Sequence, residues 1–204
     1  MKERPVIFTA ESVRAILAGH KTQTRRVLKP QPSPTGGSRI DRIEYSGPLG
    51  WVPTSPSGKV GIFHPVTYRC PYGNVGDRLW VRESWTDEAP NKIYYRADMD
   101  FIPSTAWRSP IFMPRNASRL LLEIVHIRTE PLHNIGTLDA IAEGITGPFD
   151  VGYKAYYMPG DSKPRYSCPR AAFEALWNYI NFKRHPWDSN PWVWAITFKV
   201  CSKG

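Results

Sequence analysis

Proline and glycine are unevenly spread along this chain, and their placement sets the strongest limit on its fold. Of 20 prolines and 15 glycines, most fall in three stretches, residues 29–61, 87–116 and 146–169. Proline fixes φ and lacks an amide donor, and glycine loses the most backbone freedom on ordering, so these stretches read as loops and excursions. A chain of 204 residues with this punctuation suits one domain, residues 1–204, that carries three long insertions. None of the insertions holds an apolar repeat long enough to bury a core of its own.

The spared blocks alternate in type. Residues 5–9 read as a strand and 10–18 as a helix, with Val13, Ile16 and Leu17 at helical spacing and Gly19 at a left-handed cap. Residues 22–28 read as a second strand, stopped by Lys29 and Pro30. Within the first insertion, 40–45 reads as one strand of a hairpin, and 60–63 with 66–69 as a strand pair. Residues 78–85 alternate, placing Leu79, Val81 and Glu83 on one face. Short strands are expected at 93–96 and 111–113, and a long central one at 119–130. Thr137 is positioned to cap a short helix over 138–143 that Gly144 ends. A helix from Pro169 carries Phe173, Leu176, Trp177 and Ile180 as a core stripe, and 191–200 closes the fold with Trp192, Trp194, Ile196, Phe198 and Val200 on one face. Short strands, an early helix and another before the last strand agree with a compact α+β barrel.

Between the first helix and the second strand, residues 19–26 collect a turn glycine, Lys21, Thr24, Arg25 and Arg26. Thr24 is a poor nucleophile while neutral, so acyl transfer through it needs a base and a group that returns the proton; Lys21 and Glu143 are the candidates. Lysine, with a reference pKa of about 10.4, accepts a proton only when burial or neighbouring cations such as Arg25 and Arg26 depress that value. An inward Glu83 is costly unless paired or used. It either pairs with an arginine such as Arg26 or meets a substrate, and both place it near Lys21 and Arg26. Glu143, in the last turn of its helix, opposes the helix dipole, which suggests use.

Spelled with its gaps, the stretch reads G-x-K-x-x-T-x-R over Gly19, Lys21, Thr24 and Arg26, and here the chain resembles the ASCH domain family. That family is a branch of the PUA-like fold that handles RNA and modified nucleosides. The resemblance covers roughly 5–29, 76–85 and 119–144 with the C-terminal strand, and leaves the insertions outside. Some members look like amidohydrolases that remove an acyl group from N4-acylated cytidine, others like ribonucleases or RNA-binding modules. In the amidohydrolase branch an acidic residue just after a comparable short helix is implicated in catalysis, and D-A-I-A-E-G-I at 139–145 is similar. The resemblance implies a PUA-like barrel with flanking helices, Lys21, Thr24 and Glu143 as catalytic residues, and Arg25, Arg26 and Glu83 as substrate-binding ones. No cofactor is implied.

Lysine and arginine exceed aspartate and glutamate by 27 − 18 = 9, a balance that draws polyanions and speeds their encounter. A modified nucleoside or single-stranded RNA is the expected partner. Tyr153, Tyr156, Tyr157 and Tyr166 interleave with Lys154, Lys163 and Arg165, a pattern that suits stacked bases. Tyr94, Tyr95, Phe101 and Trp107 read instead as anchors of a long loop. His126, with nothing nearby in sequence to orient it, reads as a core or edge histidine. Cys70, Cys168 and Cys201 stand far apart, odd in number and in no C-x-x-C pair, so reduced structural thiols are expected and no metal site. No apolar run reaches membrane-spanning length and the N-terminal stretch lacks a signal-peptide core, so a cytoplasmic protein without membrane contact is expected.

Overall fold

The computed structural model describes residues 1–33, 40–54, 67–89, 92–98, 102–104, 106–150, 154–160 and 165–203. The chain runs through β1 (Glu3–Ile7), α1 (Ala10–Leu17), β2 (Gln23–Val27), β3 (Arg42–Tyr45), β4 (Trp51–Thr54), β5 (Arg78–Arg82), β6 (Trp85–Ala89) and β7 (Lys92–Tyr95). It continues through β8 (Leu120–Pro131), α2 (Thr137–Ala142), β9 (Thr146–Asp150), β10 (Lys154–Tyr157), α3 (Pro169–Asn181) and β11 (Trp192–Lys203). The fold is α+β. Five strands form the main sheet in the order β1-β5-β8-β11-β2, parallel only between β1 and β5. Three two-stranded hairpins, β3 with β4, β6 with β7 and β9 with β10, occupy the stretches rich in proline and glycine.

β1 and β2 are the two edges of that sheet, and α1 carries the chain from one to the other. Among the described residues no backbone ladder joins the edges, so the expected closed barrel is absent. A side chain spans the seam instead: Arg26 of β2 donates from Nη2 to the Ile7 carbonyl of β1 at 2.6 Å. Space between these edges is filled by side chains rather than by backbone pairing, and this leaves room for a cleft.

The core follows from alternation. Leu79 and Val81 of β5, Leu122 and Ile124 of β8, and Ile196 and Phe198 of β11 are buried in one cluster with Val13 and Ile16 of α1. Full burial of each such side chain is worth about 1.5–3 kcal/mol. Along β8 the period is broken by a bulge: Thr197 pairs His126, yet Phe198 pairs Ile124. Val125 is the extra residue, and it and His126 face outward while Ile127 returns inward. A second cluster packs α2 and α3 on the other face of β11, where Val193 is buried with Phe173 and Trp177. Burial on both faces of β11, rather than on one, is what makes it the spine of the fold. A third, small cluster of Trp85, Met113 and Ala117 lies under the second insertion.

Several expected elements differ in detail. The strand expected over 78–85 breaks at Glu83, because Trp85 leaves the sheet to pair with Tyr95 and Arg108. Pro110 lacks an amide donor and Ser109 caps Ile111 N, so Pro110–Phe112 is a 3-10 turn, not a strand. Gly136, not Thr137, is the N-cap of α2. Ile180, expected in the core stripe of α3, is exposed. Of the strand pair expected at 60–63 and 66–69, residues 60–66 lie outside the described residues, as do Phe101, Tyr153 and Lys163; Tyr68 bridges Trp51. Among the described residues no helix is long and apolar enough to cross a membrane, and no group of three or more His, Cys, Asp or Glu is placed to hold a metal.

Candidate active site

Two helix exits meet at the seam. α1 ends at Ala18, and Gly19, at φ 78°, turns the chain so that the His20 and Lys21 amides both donate to the Ala15 carbonyl, at 2.8 and 3.0 Å. The Thr22 amide then donates to the Ala142 carbonyl at 2.9 Å, and Lys21 bridges Glu143. Gly144 closes α2 at φ 99°, and a Cβ there would lie 3.3 Å from the Lys21 Cβ, so glycine permits the two turns to touch. Residues 122 apart in sequence are thereby fixed side by side.

Lys21 is 4% exposed and donates from Nζ to both the Glu143 carbonyl, at 2.7 Å, and Glu143 Oε2, at 2.8 Å. Burial holds its ammonium below the usual lysine pKa; Glu143 opposes this by charge and hydrogen bond, while Arg26 and Arg25 add to it. Behind this pair lies Arg25, whose side chain is fully buried. It donates to Glu143 Oε1 at 3.2 Å, Gln23 Oε1 at 2.6 Å and Glu130 Oε1 at 2.6 Å, with Asp139 Oδ2 at 3.1 Å. Arg128 closes the network onto Glu130, at 3.1 Å, and Asp139, at 2.6 Å. Three basic side chains thus meet three carboxylates.

The cleft in front of Lys21 has a volume of about 210 Å³. Strand alternation sends Gln23 and Arg25 toward α2 and sends Thr24 and Arg26 the other way, and all but Gln23 reach the cleft wall. The Thr24 hydroxyl has no hydrogen-bond partner among the described residues. Arg26 has no carboxylate partner among them, and its Nε is buried without an acceptor. Phe8, at the end of β1, sits between two cations: Lys21 Nζ is 5.9 Å and Arg26 5.1 Å from its ring centre. Leu176, Trp177 and Ile180 of α3 supply the opposite, apolar wall.

Of the residues singled out from sequence, Lys21, Thr24, Arg25, Arg26 and Glu143 line this one cleft. Arg25 has a different task from the substrate contact expected of it, since its donors are taken up by Gln23 and carboxylates and its effect is to orient Glu143. Glu83 does not line the cleft. It is 1% exposed, as its inward position required, but its partner is Arg119, which grips both carboxylate oxygens at 3.0 and 3.1 Å, and not Arg26. Arg119 also holds Asp98 at 2.8 Å, tying the second insertion to the sheet. Burial raises the Glu83 carboxyl above its ordinary value despite the guanidinium beside it.

Sequence reasoning missed the supporting acids Glu130 and Asp139 and the α3 wall. Arg128 and Glu130 share a strand face, a two-residue pattern with no distinctive spacing, and only the fold shows which cation they meet. Compared with known proteins, the chain matches no family model, no curated protein and no solved structure.

Proposed function

We propose that the cleft hydrolyses the exocyclic amide of an N4-acylated cytidine, on a fold of the PUA-like, ASCH type. The observation that carries this reading is a buried lysine of lowered pKa lining one small cleft with a threonine whose hydroxyl has no partner among the described residues. The proton of the Thr24 hydroxyl passes to neutral Lys21 as Oγ bonds to the acyl carbon. The oxyanion so formed is met by Arg26, whose Nε has no acceptor among the described residues. Collapse breaks the C–N bond and protonated Lys21 returns its proton to N4, releasing cytidine. Water then displaces the acyl group from Thr24 with Lys21 again as base, yielding the free acid. Glu143 takes the counter-charge whenever Lys21 is protonated. Phe8, Trp177 and Ile180 are apolar surfaces suited to a pyrimidine. Incubation of the protein with N4-acetylcytidine, with mass detection of cytidine, tests the reading.

A second reading, RNA binding or cleavage through the same cleft, is favoured by one observation. A neighbouring recess of about 640 Å³ shares Arg26 and Ile180 with the cleft, carries Lys29, Lys183, Arg184 and His185, and has no carboxylate among the described residues of its wall. Tyr179 and Phe182 stand there 84% and 70% exposed. Exposed rings among cations that have no ion pair among the described residues suit the bases and phosphates of a single strand. A labelled single-stranded RNA, examined for both retention and cleavage, separates this reading from the first.

A further inference from the structure

A second recess, of about 400 Å³, opens at the start of β1, the end away from the cleft. Arg4 enters it from the inward face of β1, two residues before the buried Val6. Its Nε is buried and has no hydrogen-bond partner among the described residues. Lys2 and Arg69 complete a set of three cations, and none of the three is in an ion pair among the described residues. Among the described residues no carboxylate lines the recess. Of the acids beside it, Glu3 pairs with Arg115 at 2.8 Å and Glu44 with Arg42 at 3.3 Å, and Asp77, on which the Arg4 charge acts, is held by the Lys2 amide at 2.7 Å and the Asn74 amide at 3.1 Å. Cys70, also in the wall, offers no counter-charge at neutral pH, since burial pushes its thiol up to about 11. A buried guanidinium donor without an acceptor is costly, and a bound anion removes that cost.

The recess continues into an apolar one of about 270 Å³ that shares Tyr45, Trp51 and Asn74 with it and adds Val75 and Ile127. Trp51 is fixed edge-on against Trp194, ring centres 5.3 Å apart, and Tyr45 leans on it at 5.6 Å with most of its own ring exposed. A cationic pocket opening onto an aromatic slot selects a ligand with a dianionic head and a flat body. Such a ligand is a phosphomonoester of a nucleoside.

We infer that this double recess is a nucleoside monophosphate site, with the phosphate on Arg4, Lys2 and Arg69 and the base against Tyr45 and Val75. It is independent of the chemistry proposed for the cleft. The test is titration of the full chain with AMP, adenosine and inorganic phosphate, followed by amide and indole NMR signals. Expected are saturable shifts at Gly50, Gly73 and the Trp51 indole, with AMP binding more tightly than either half. Arg4→Gln and the exposed Arg69→Gln each weaken AMP binding about tenfold or more. Tyr45→Ala weakens AMP and leaves inorganic phosphate unchanged. AMP shifts confined to the cleft around Phe8 and Thr24, or wild-type AMP affinity in both arginine variants, overturn the site. Inorganic phosphate binding as tightly as AMP overturns its nucleoside half.

Discussion

Lys21 Nζ lies 2.8 Å from Glu143 Oε2 and 2.7 Å from the main-chain oxygen of the same residue, so one buried ammonium holds both the charge and the backbone turn of Glu143. The pair joins the exits of α1 and α2. Removing Glu143 therefore acts twice: Lys21 loses its counter-charge and Arg25 loses one of its carboxylates. Glu143→Ala is expected to cost about 3–5 kcal/mol in denaturant unfolding, the range for stripping one partner from a buried ion pair. Glu143→Gln, which keeps the shape and an acceptor, is expected to cost less. Equal stability of Glu143→Ala and wild type would show that the network contributes nothing.

Lys21 also shapes the alkaline side of the stability profile. Its folded pKa is lowered from 10.5, so between that lowered value and 10.5 the unfolded chain binds more protons than the folded one. Stability contributed by this group is thus missing below the folded pKa and rises with pH through the window. Lys21→Met is expected to flatten that rise when melting temperature is followed from pH 7 to 10.

Glu83 and Arg119 make the opposite case. Burial raises the Glu83 carboxyl, so this group contributes most below 4.5 and loses that contribution as pH rises through its folded value. Glu83→Gln is expected to remove that dependence while leaving kcat on an acylated nucleoside unchanged, because Glu83 does not line the cleft. Arg119→Ala leaves a carboxylate 1% exposed without its bidentate partner and is expected to cost about 3–5 kcal/mol. A large loss of kcat in Glu83→Gln at full stability would return Glu83 to the site.

These contrasts show what the amino-acid sequence discloses. The turn at Gly19, the helix before it and the inward position of Glu83 follow from spacing and alternation, which are local. Lys21 and Glu143 were both legible as candidates for the same reason, each being a chemical group at a glycine-ended helix exit. Which cation meets which acid was not legible, since Arg25 finds Glu130 and Asp139, and Glu83 finds Arg119, through the order of the strands. The bulge at Val125 is likewise a product of pairing with β11, and no residue type marks it. The open seam between β1 and β2 depends on Arg26 reaching Ile7, a contact between strands that are consecutive in the chain but at opposite edges of the strand order.

The recess beside the cleft yields a prediction that depends on charge alone. Lys183→Glu with Arg184→Glu is expected to weaken retention of a single-stranded RNA and to flatten its dependence on salt, each phosphate contact contributing about −0.7 to the logarithmic slope. Fluorescence anisotropy of a labelled oligonucleotide at several salt concentrations measures both. An unchanged slope would remove this face from the binding surface.

The most direct test of the proposed chemistry is turnover of N4-acetylcytidine by wild type and Lys21→Arg, each checked for folding by circular dichroism. Arginine keeps the positive charge but cannot give up its proton to serve as a base. The expected result is release of cytidine by the wild type and near-complete loss in a folded Lys21→Arg protein. Undiminished release by Lys21→Arg would contradict a lysine base, and no release by the wild type would contradict amide hydrolysis itself.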